Sequence, residues 1–338
     1  MEITSFTAFY PSRPFWAGSQ IDFKNPTVLD TFEELMAEET YREINGDFEL
    51  RICRDGLILL RVAALESETK PLDPIQRIDD IVGRWGKYLD YLNTFYLLLD
   101  SATIKKDNLQ YFSLDEVTIK DAFRIRYENG KVGGYDLKSE STAWTFQMGR
   151  LKAGYGPIPI ENDHRIIFRR IIPLDTIDFA VQQFKRVFDD SLQSVLASFA
   201  KSISEYKLGN YETAIVLAWF ITERIINQMW NAHLVSLKRD EQGGQQRINS
   251  ERMEYLTGRD YSASIMTNLL ELYGVMTFSV FKDVDSVRRF RNKIVHSDER
   301  YSPNATDAQL SITTALELFR SFYQMDFAPN LSLTITYI

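Results

Sequence analysis

The stretch Phe48-Glu49-Leu50-Arg51-Ile52-Cys53-Arg54-Asp55-Gly56-Leu57-Ile58-Leu59-Leu60-Arg61-Val62-Ala63 decides the architecture of the first half of the chain. Two runs rich in Leu, Ile and Val flank Asp55-Gly56. A short loop of this composition supplies the positive φ that a tight antiparallel reversal needs, so residues 48–53 and 57–63 are predicted strands of a hairpin. A second hairpin is predicted around Asn129-Gly130, between residues 123–127 and 132–137. Residues 142–148 and 165–172 are further strand candidates. Between the hairpins Ile75, Ile78, Val82, Trp85, Leu89, Leu92, Tyr96 and Leu99 recur at three- and four-residue steps, the period of one long helix. Pro74 suits the first position of that helix, with Asp73 as its N-cap. The first half therefore reads as an α+β domain, a sheet of hairpins packed on one long helix.

Further along, Gly154, Gly156, Pro157 and Pro159 crowd one short stretch and mark a loop. The boundary is placed between that loop and Pro173, giving domains 1–172 and 173–338. After it the strand signals stop. Residues 178–206 carry an apolar stripe of Phe184, Val187, Phe188, Leu192, Val195, Leu196 and Phe199. Lys207-Leu208-Gly209-Asn210 is a turn with a helix-stopping glycine. Residues 211–237, 261–278, 284–295 and 305–325 are the next helices, with a polar, loop-like insertion at 238–250. Asp283 and Asp285 are expected at the positive start of the fourth helix. Residues 331–337 alternate apolar and polar positions and read as one last strand, added to the first domain or to a partner.

Bulk properties narrow the function. A chain of 338 residues suggests two domains. No apolar run reaches the length of a membrane helix. The opening Met1-Glu2-Ile3-Thr4-Ser5 has no basic segment before an apolar one, so no signal peptide is expected. Cys53 is the single cysteine, which excludes an internal disulfide and any multi-cysteine metal site. A cytoplasmic protein is expected, with no membrane partner, no cofactor and no metal. The net charge of −8 excludes a protein that coats nucleic acid over a broad surface. Residues 282–293 run against that balance: Lys282, Arg288, Arg289, Arg291 and Lys293 face only Asp283 and Asp285, a local balance of +3. A small positive site on an acidic protein still attracts a phosphate.

Within that segment stands Arg291-Asn292-Lys293-Ile294-Val295-His296. On an unbroken helix five steps turn through about 500°, so Arg291 and His296 would point roughly 140° apart. A helix that frays after Val295 lets the long arginine swing toward the imidazole, and Ser297-Asp298 and Pro303 support an end there. The residue types suit RNA cleavage by attack of the ribose 2′-hydroxyl. Histidine moves protons near neutrality. A guanidinium matches phosphate oxygens in a planar, bidentate way that an ammonium does not. Asn292 orients the imidazole or donates to a phosphate oxygen. One copy holds one titrating base, so a symmetric dimer would supply both acid and base. Arg288, Arg289 and Lys293 are candidate RNA-binding residues beside the motif. The competing reading is an amphipathic helix whose basic residues cover its solvated face.

The helical half resembles the HEPN superfamily over about residues 174–326. The resemblance rests on R-x4-H at Arg291 and His296 before a long last helix, on Asn292 after the arginine, and on a helical hairpin joined at Lys207-Leu208-Gly209-Asn210. The phrase Tyr211-Glu212-Thr213-Ala214-Ile215-Val216-Leu217-Ala218-Trp219-Phe220-Ile221-Thr222-Glu223-Arg224 is similar to the family's second helix. The resemblance implies an all-α bundle and a metal-independent endoribonuclease acting as a homodimer. It also implies a toxin or anti-phage defence effector, with an antitoxin or a phage-derived trigger as further partners. The first half would sense the trigger or restrain the nuclease. The alternative is a non-catalytic module of the same type that binds a nucleotide, RNA or a partner protein.

Glu223 and Asn227 share a helix face. They read either as support for Arg291 and His296 or as a solvated face. His164 and His233 stand without ligand-spaced partners and read as structural. Phe6, Phe9, Tyr10, Phe15 and Trp16 form either a stacking platform for bases or core beneath the hairpins. Arg165, Arg169 and Arg170 line an RNA path or alternate on an edge strand.

Overall fold

In a computed structural model the described residues are 5–20, 32–66, 74–128, 131–135, 169–189, 192–237, 247–296 and 301–333. The chain forms two compact units. Residues 1–200 and 327–330 make the first, and 201–326 and 331–338 the second.

The first unit is built on a six-stranded antiparallel sheet. Its strands are β1 (Ser5–Phe9), β3 (Glu39–Ile44), β4 (Phe48–Cys53), β5 (Ile58–Val62), β6 (Phe123–Glu128) and β7 (Lys131–Tyr135), in the order β3-β4-β5-β1-β6-β7. The first hairpin forms as expected: β4 and β5 pair in the register Phe48↔Val62 to Ile52↔Ile58. Its turn is closed by the Gly56 amide on the Cys53 carbonyl and the Cys53 amide on the Leu57 carbonyl, both at 2.9 Å. Gly56 takes φ +84°, and a Cβ there would sit 2.9 Å from the Phe15 carbonyl oxygen. Gly56→Ala therefore meets both a backbone penalty and a clash. It is expected to destabilise the unit by more than about 1 kcal/mol in a urea titration, and a loss within experimental error would refute this account of the turn. The β6–β7 hairpin also forms, although Asn129 and Gly130 themselves lie outside the described residues.

Three strands escaped the sequence reading. β1 lies at the centre of the sheet between β5 and β6. β3 is an edge strand of alternating charge without a buried face. β2 (Phe15–Ala17) pairs in parallel with β8 (Arg170–Ile172). The aromatics around β1 and β2 are core: Phe6, Phe9, Phe15 and Trp16 are fully buried, and Tyr10 donates to buried Asp55 at 2.9 Å. They are not a platform for bases. Arg169 is buried over the Trp16 ring and donates to the Asp55 carbonyl, so it lines no surface path. His164, Arg165, residues 142–148 and the Gly/Pro loop lie outside the described residues.

Two short helices, α1 (Phe32–Ala37) and α2 (Ala63–Glu66), precede the long α3 (Pro74–Asp107), which begins at Pro74 as the sequence indicates. Its apolar stripe is only half a core stripe. Ile78 and Val82 are exposed, whereas Tyr88, Leu92, Phe95, Tyr96 and Leu99 are buried. The buried half packs on α4 (Leu174–Asp189), where Phe184 meets Phe48, Phe95 and Tyr91.

The expected helix 178–206 is two helices, α4 and α5 (Gln193–Lys207). At the break the Leu192 amide bonds the Val187 carbonyl and Leu192 itself opens the next helix. The apolar stripe runs on across this break, so its period does not show it. Strand signals do end where β8 ends. The first unit nevertheless keeps α4, because α4 completes its core.

The second unit gathers α6 (Tyr211–Ser236), α7 (Ser250–Leu256), α8 (Ala263–Leu272), α9 (Phe278–Val295) and α10 (Ala305–Tyr323). α6 is the centre, packed against α8, α9 and α10. α7 was not anticipated; it starts at the N-cap Asn249 and meets α6 where Trp230 Nε1 donates to the Leu256 carbonyl. α8 ends at Leu272 rather than at 278. Gly274 takes φ +72° and the amides of Val275 and Met276 close on the Leu270 carbonyl. α9 consequently starts earlier, with Thr277 accepting from the Val280 amide. Asp283 and Asp285 therefore sit inside α9, away from its positive end. After α10 the chain rejoins the first unit: the amides of Ala328 and Asn330 bond Ser101 and Asp100 of α3. Residues 331–333 form no strand, and 334–338 lie outside the described residues.

Candidate functional site

The last two turns of α9 and the residue that follows carry the motif. Val295 is the last helical residue and His296 the C-cap (φ −93°, ψ 11°), its amide 2.9 Å from the Asn292 carbonyl. The helix end expected after Val295 is therefore present. His296 is exposed and Arg291 half-buried. Arg291 Nη1 donates to Asn292 Oδ1 at 3.2 Å, whereas among the described residues its buried Nε has no acceptor. Among the described residues no hydrogen bond joins Arg291 to His296. One copy thus brings the two to the same helix end without linking them.

The basic residues around the motif are not equivalent. Arg288 bonds Asp285 through Nη2 at 2.7 Å and Nε at 3.2 Å, and Arg289 bonds the other oxygen of the same carboxylate. Burial raises the Asp285 carboxyl, but these two arginines outweigh it and hold the group below the usual carboxylate range. The Lys293 ammonium lies 5.0 Å from the Tyr301 ring centre, and that of Lys282 5.1 Å from the Phe278 ring centre. Among the described residues Arg291 is the cation of this segment with neither an acidic nor an aromatic partner. The net +3 of the sequence hid this sorting. Asp285 stands three and four positions before Arg288 and Arg289, and that spacing was the available signal.

Glu223 and Asn227 share a face of α6. The Asn227 amide donates to the Glu223 main-chain carbonyl at 2.8 Å, and among the described residues neither side chain bonds Arg291 or His296. Ser297 and Asp298 lie outside the described residues. His233 lies tilted against Trp230 and Tyr273, with ring centres 6.0 and 5.0 Å away. The sequence reading missed Tyr301, where the described chain resumes after His296. Its ring lies parallel to that of Phe290, at 6.0 Å and 7°.

In the first unit Ile44, Asn45, Gly46, Phe48, Glu49, Arg61, Ala63 and Glu66 line an open cleft of about 370 Å³. Its carboxylates are already engaged, Glu49 by Arg51 and Glu66 by Arg124 and Tyr88. The cleft reads as a braced surface fold rather than a binding centre. Among the described residues no cluster of three or more His, Cys, Asp or Glu converges as a metal site, and no helix is long and apolar enough to cross a membrane.

Comparison with known proteins returns no match: neither a family model, nor a curated protein, nor a solved structure is similar to this chain.

Proposed function

We propose that the chain is a metal-independent endoribonuclease of the HEPN type, acting as a symmetric homodimer. The observation that carries this reading is the condition of Arg291. It is a half-buried guanidinium with a buried, unsatisfied Nε, at the helix end that presents His296, while its basic neighbours are engaged by Asp285 and by aromatic rings. A buried N–H without an acceptor is costly and calls for an explanation, and the guanidinium that carries it is charged and only half-buried, so its open side can meet a phosphate oxygen.

In the reaction His296 takes the proton of the 2′-hydroxyl as the oxygen attacks the adjacent phosphorus. Arg291 holds the charge that builds on the non-bridging oxygens, and the 5′-oxygen leaves with a proton from an acid. His296 of a second copy would supply that acid, which accounts for the missing Arg291–His296 link within one copy. Asn292 anchors the guanidinium. Such a nuclease would serve as a toxin or anti-phage effector in the cytoplasm, with the first unit receiving a trigger or an antitoxin.

Purified protein incubated with labelled RNA in EDTA tests this. Cleavage leaving cyclic phosphate ends is the expected result. Intact RNA under every trigger tried would refute it in favour of a non-catalytic binding module. A second test concerns the reserve of positive charge: Asp285→Asn should free Arg288 and Arg289 for phosphate. RNA binding should tighten at low salt, and the slope of log K against log salt should steepen by roughly 0.7 per added contact between about 50 and 200 mM. An unchanged slope would show that neither arginine meets RNA.

A further inference from the structure

We infer that Tyr301 is the positioning residue that fixes the turn carrying His296; this rests on the nuclease reading above. Its ring and its hydroxyl hold two different helices. The ring lies flat against Phe290 and beneath the Lys293 ammonium. Phe290 and Lys293 are three positions apart, on one face of the last turns of α9. The hydroxyl donates to Asp307 Oδ2 at 3.0 Å in the first turn of α10. Asp307 is itself held: Asn304 Nδ2 donates to the same oxygen at 3.1 Å, and Asn304 Oδ1 accepts from the Thr306 and Asp307 amides at 2.9 and 3.0 Å.

Tyr301, five positions after His296, thus ties the end of α9 to the start of α10. The imidazole is presented from a helix end whose last turns are tied to the start of α10. The Lys293 ammonium rests on the same ring. Burial and the bond to Asp307 raise the Tyr301 hydroxyl above the usual tyrosine range, so it remains a donor at any pH where the protein works.

A histidine a fraction of an ångström out of place loses rate, not substrate affinity, and this separates positioning from binding. The experiment compares full-length wild type, Tyr301→Phe and Tyr301→Ala, each with unchanged circular dichroism. It measures RNA cleavage and hydrogen exchange of the His296 amide. Tyr301→Ala should lower kcat by about a hundredfold, with KM within about twofold of wild type, and should speed exchange at His296. Tyr301→Phe keeps the ring and loses only the Asp307 bond, so it should fall between the two. Wild-type kcat and exchange in folded Tyr301→Ala would overturn the inference, and so would a defect confined to KM. If wild type cuts no RNA, the nuclease reading falls on its own. Exchange at His296 then decides alone whether Tyr301 fixes the turn, and unchanged exchange in Tyr301→Ala refutes it.

Discussion

Replacing His296 by alanine is expected to slow RNA cleavage in EDTA by about 10²- to 10⁴-fold, the range that a positioned proton-transfer group contributes. Arg291→Ala should do at least as much damage, because the guanidinium faces charge that exists only in the transition state. Arg291→Lys should rescue little. An ammonium keeps the charge but loses the planar fork that meets two phosphate oxygens, and its shorter reach abandons the bond to Asn292 Oδ1. Neither substitution should cost much stability, since His296 is exposed and Arg291 already leaves a buried N–H unsatisfied. Gel-based single-turnover assays with matched thermal melts check both parts. Mutants that cut as fast as wild type would remove these residues from the chemistry. If the site is composite, an excess of His296→Ala protein should suppress cleavage by wild type, because a mixed dimer holds only one of the two imidazoles that the reaction needs.

The second large effect lies far from the motif. Phe184→Ala should cost about 3–5 kcal/mol of the first unit's stability. The Phe184 ring is fully buried and meets Phe48 of β4, Tyr91 and Phe95 of α3, and Phe188 of its own helix, with ring centres 5.1 to 6.5 Å away. Truncation leaves a hole bordered by three elements that cannot all relax into it. Urea unfolding followed by far-UV circular dichroism measures the loss. A cost below about 1 kcal/mol would mean that this core closes over the gap and that α4 is not its keystone.

Much of this architecture was legible in the chain. β4, β5 and their turn follow from Asp55-Gly56 between apolar runs, and α3 from its period and Pro74. β1 was hidden because Ser5-Phe6-Thr7-Ala8-Phe9 is short and runs into Pro11 and Pro14, which dominate its local signal. β3 was hidden for the opposite reason: an edge strand with charges on both faces offers no period to read. The break between α4 and α5 lay beneath a continuous apolar stripe, whose period offers no place to stop. At the site, the placement of His296 at a helix end could be read from the polar residues and proline that follow it. The pairing of Arg288 and Arg289 with Asp285 could also have been read, had the charges been taken as neighbours rather than summed. The clamp at Tyr301 could not, because it depends on where the chain returns after the turn.

The position of β1 has a bearing on how the molecule is made. The strand spanning residues 5–9 is synthesised well before its partner β6, which begins at Phe123, and the bond from Arg124 to Thr7 joins residues 117 positions apart. The β4–β5 hairpin forms from neighbouring residues, whereas β1 has to wait until more than a hundred further residues have been synthesised before both of its edges are covered. Contacts that distant are slow to close and leave an apolar strand unpaired in the meantime. Until β6 is available one edge of an apolar strand stays open, so a chain truncated before Phe123 is expected to aggregate more readily than one that includes β6.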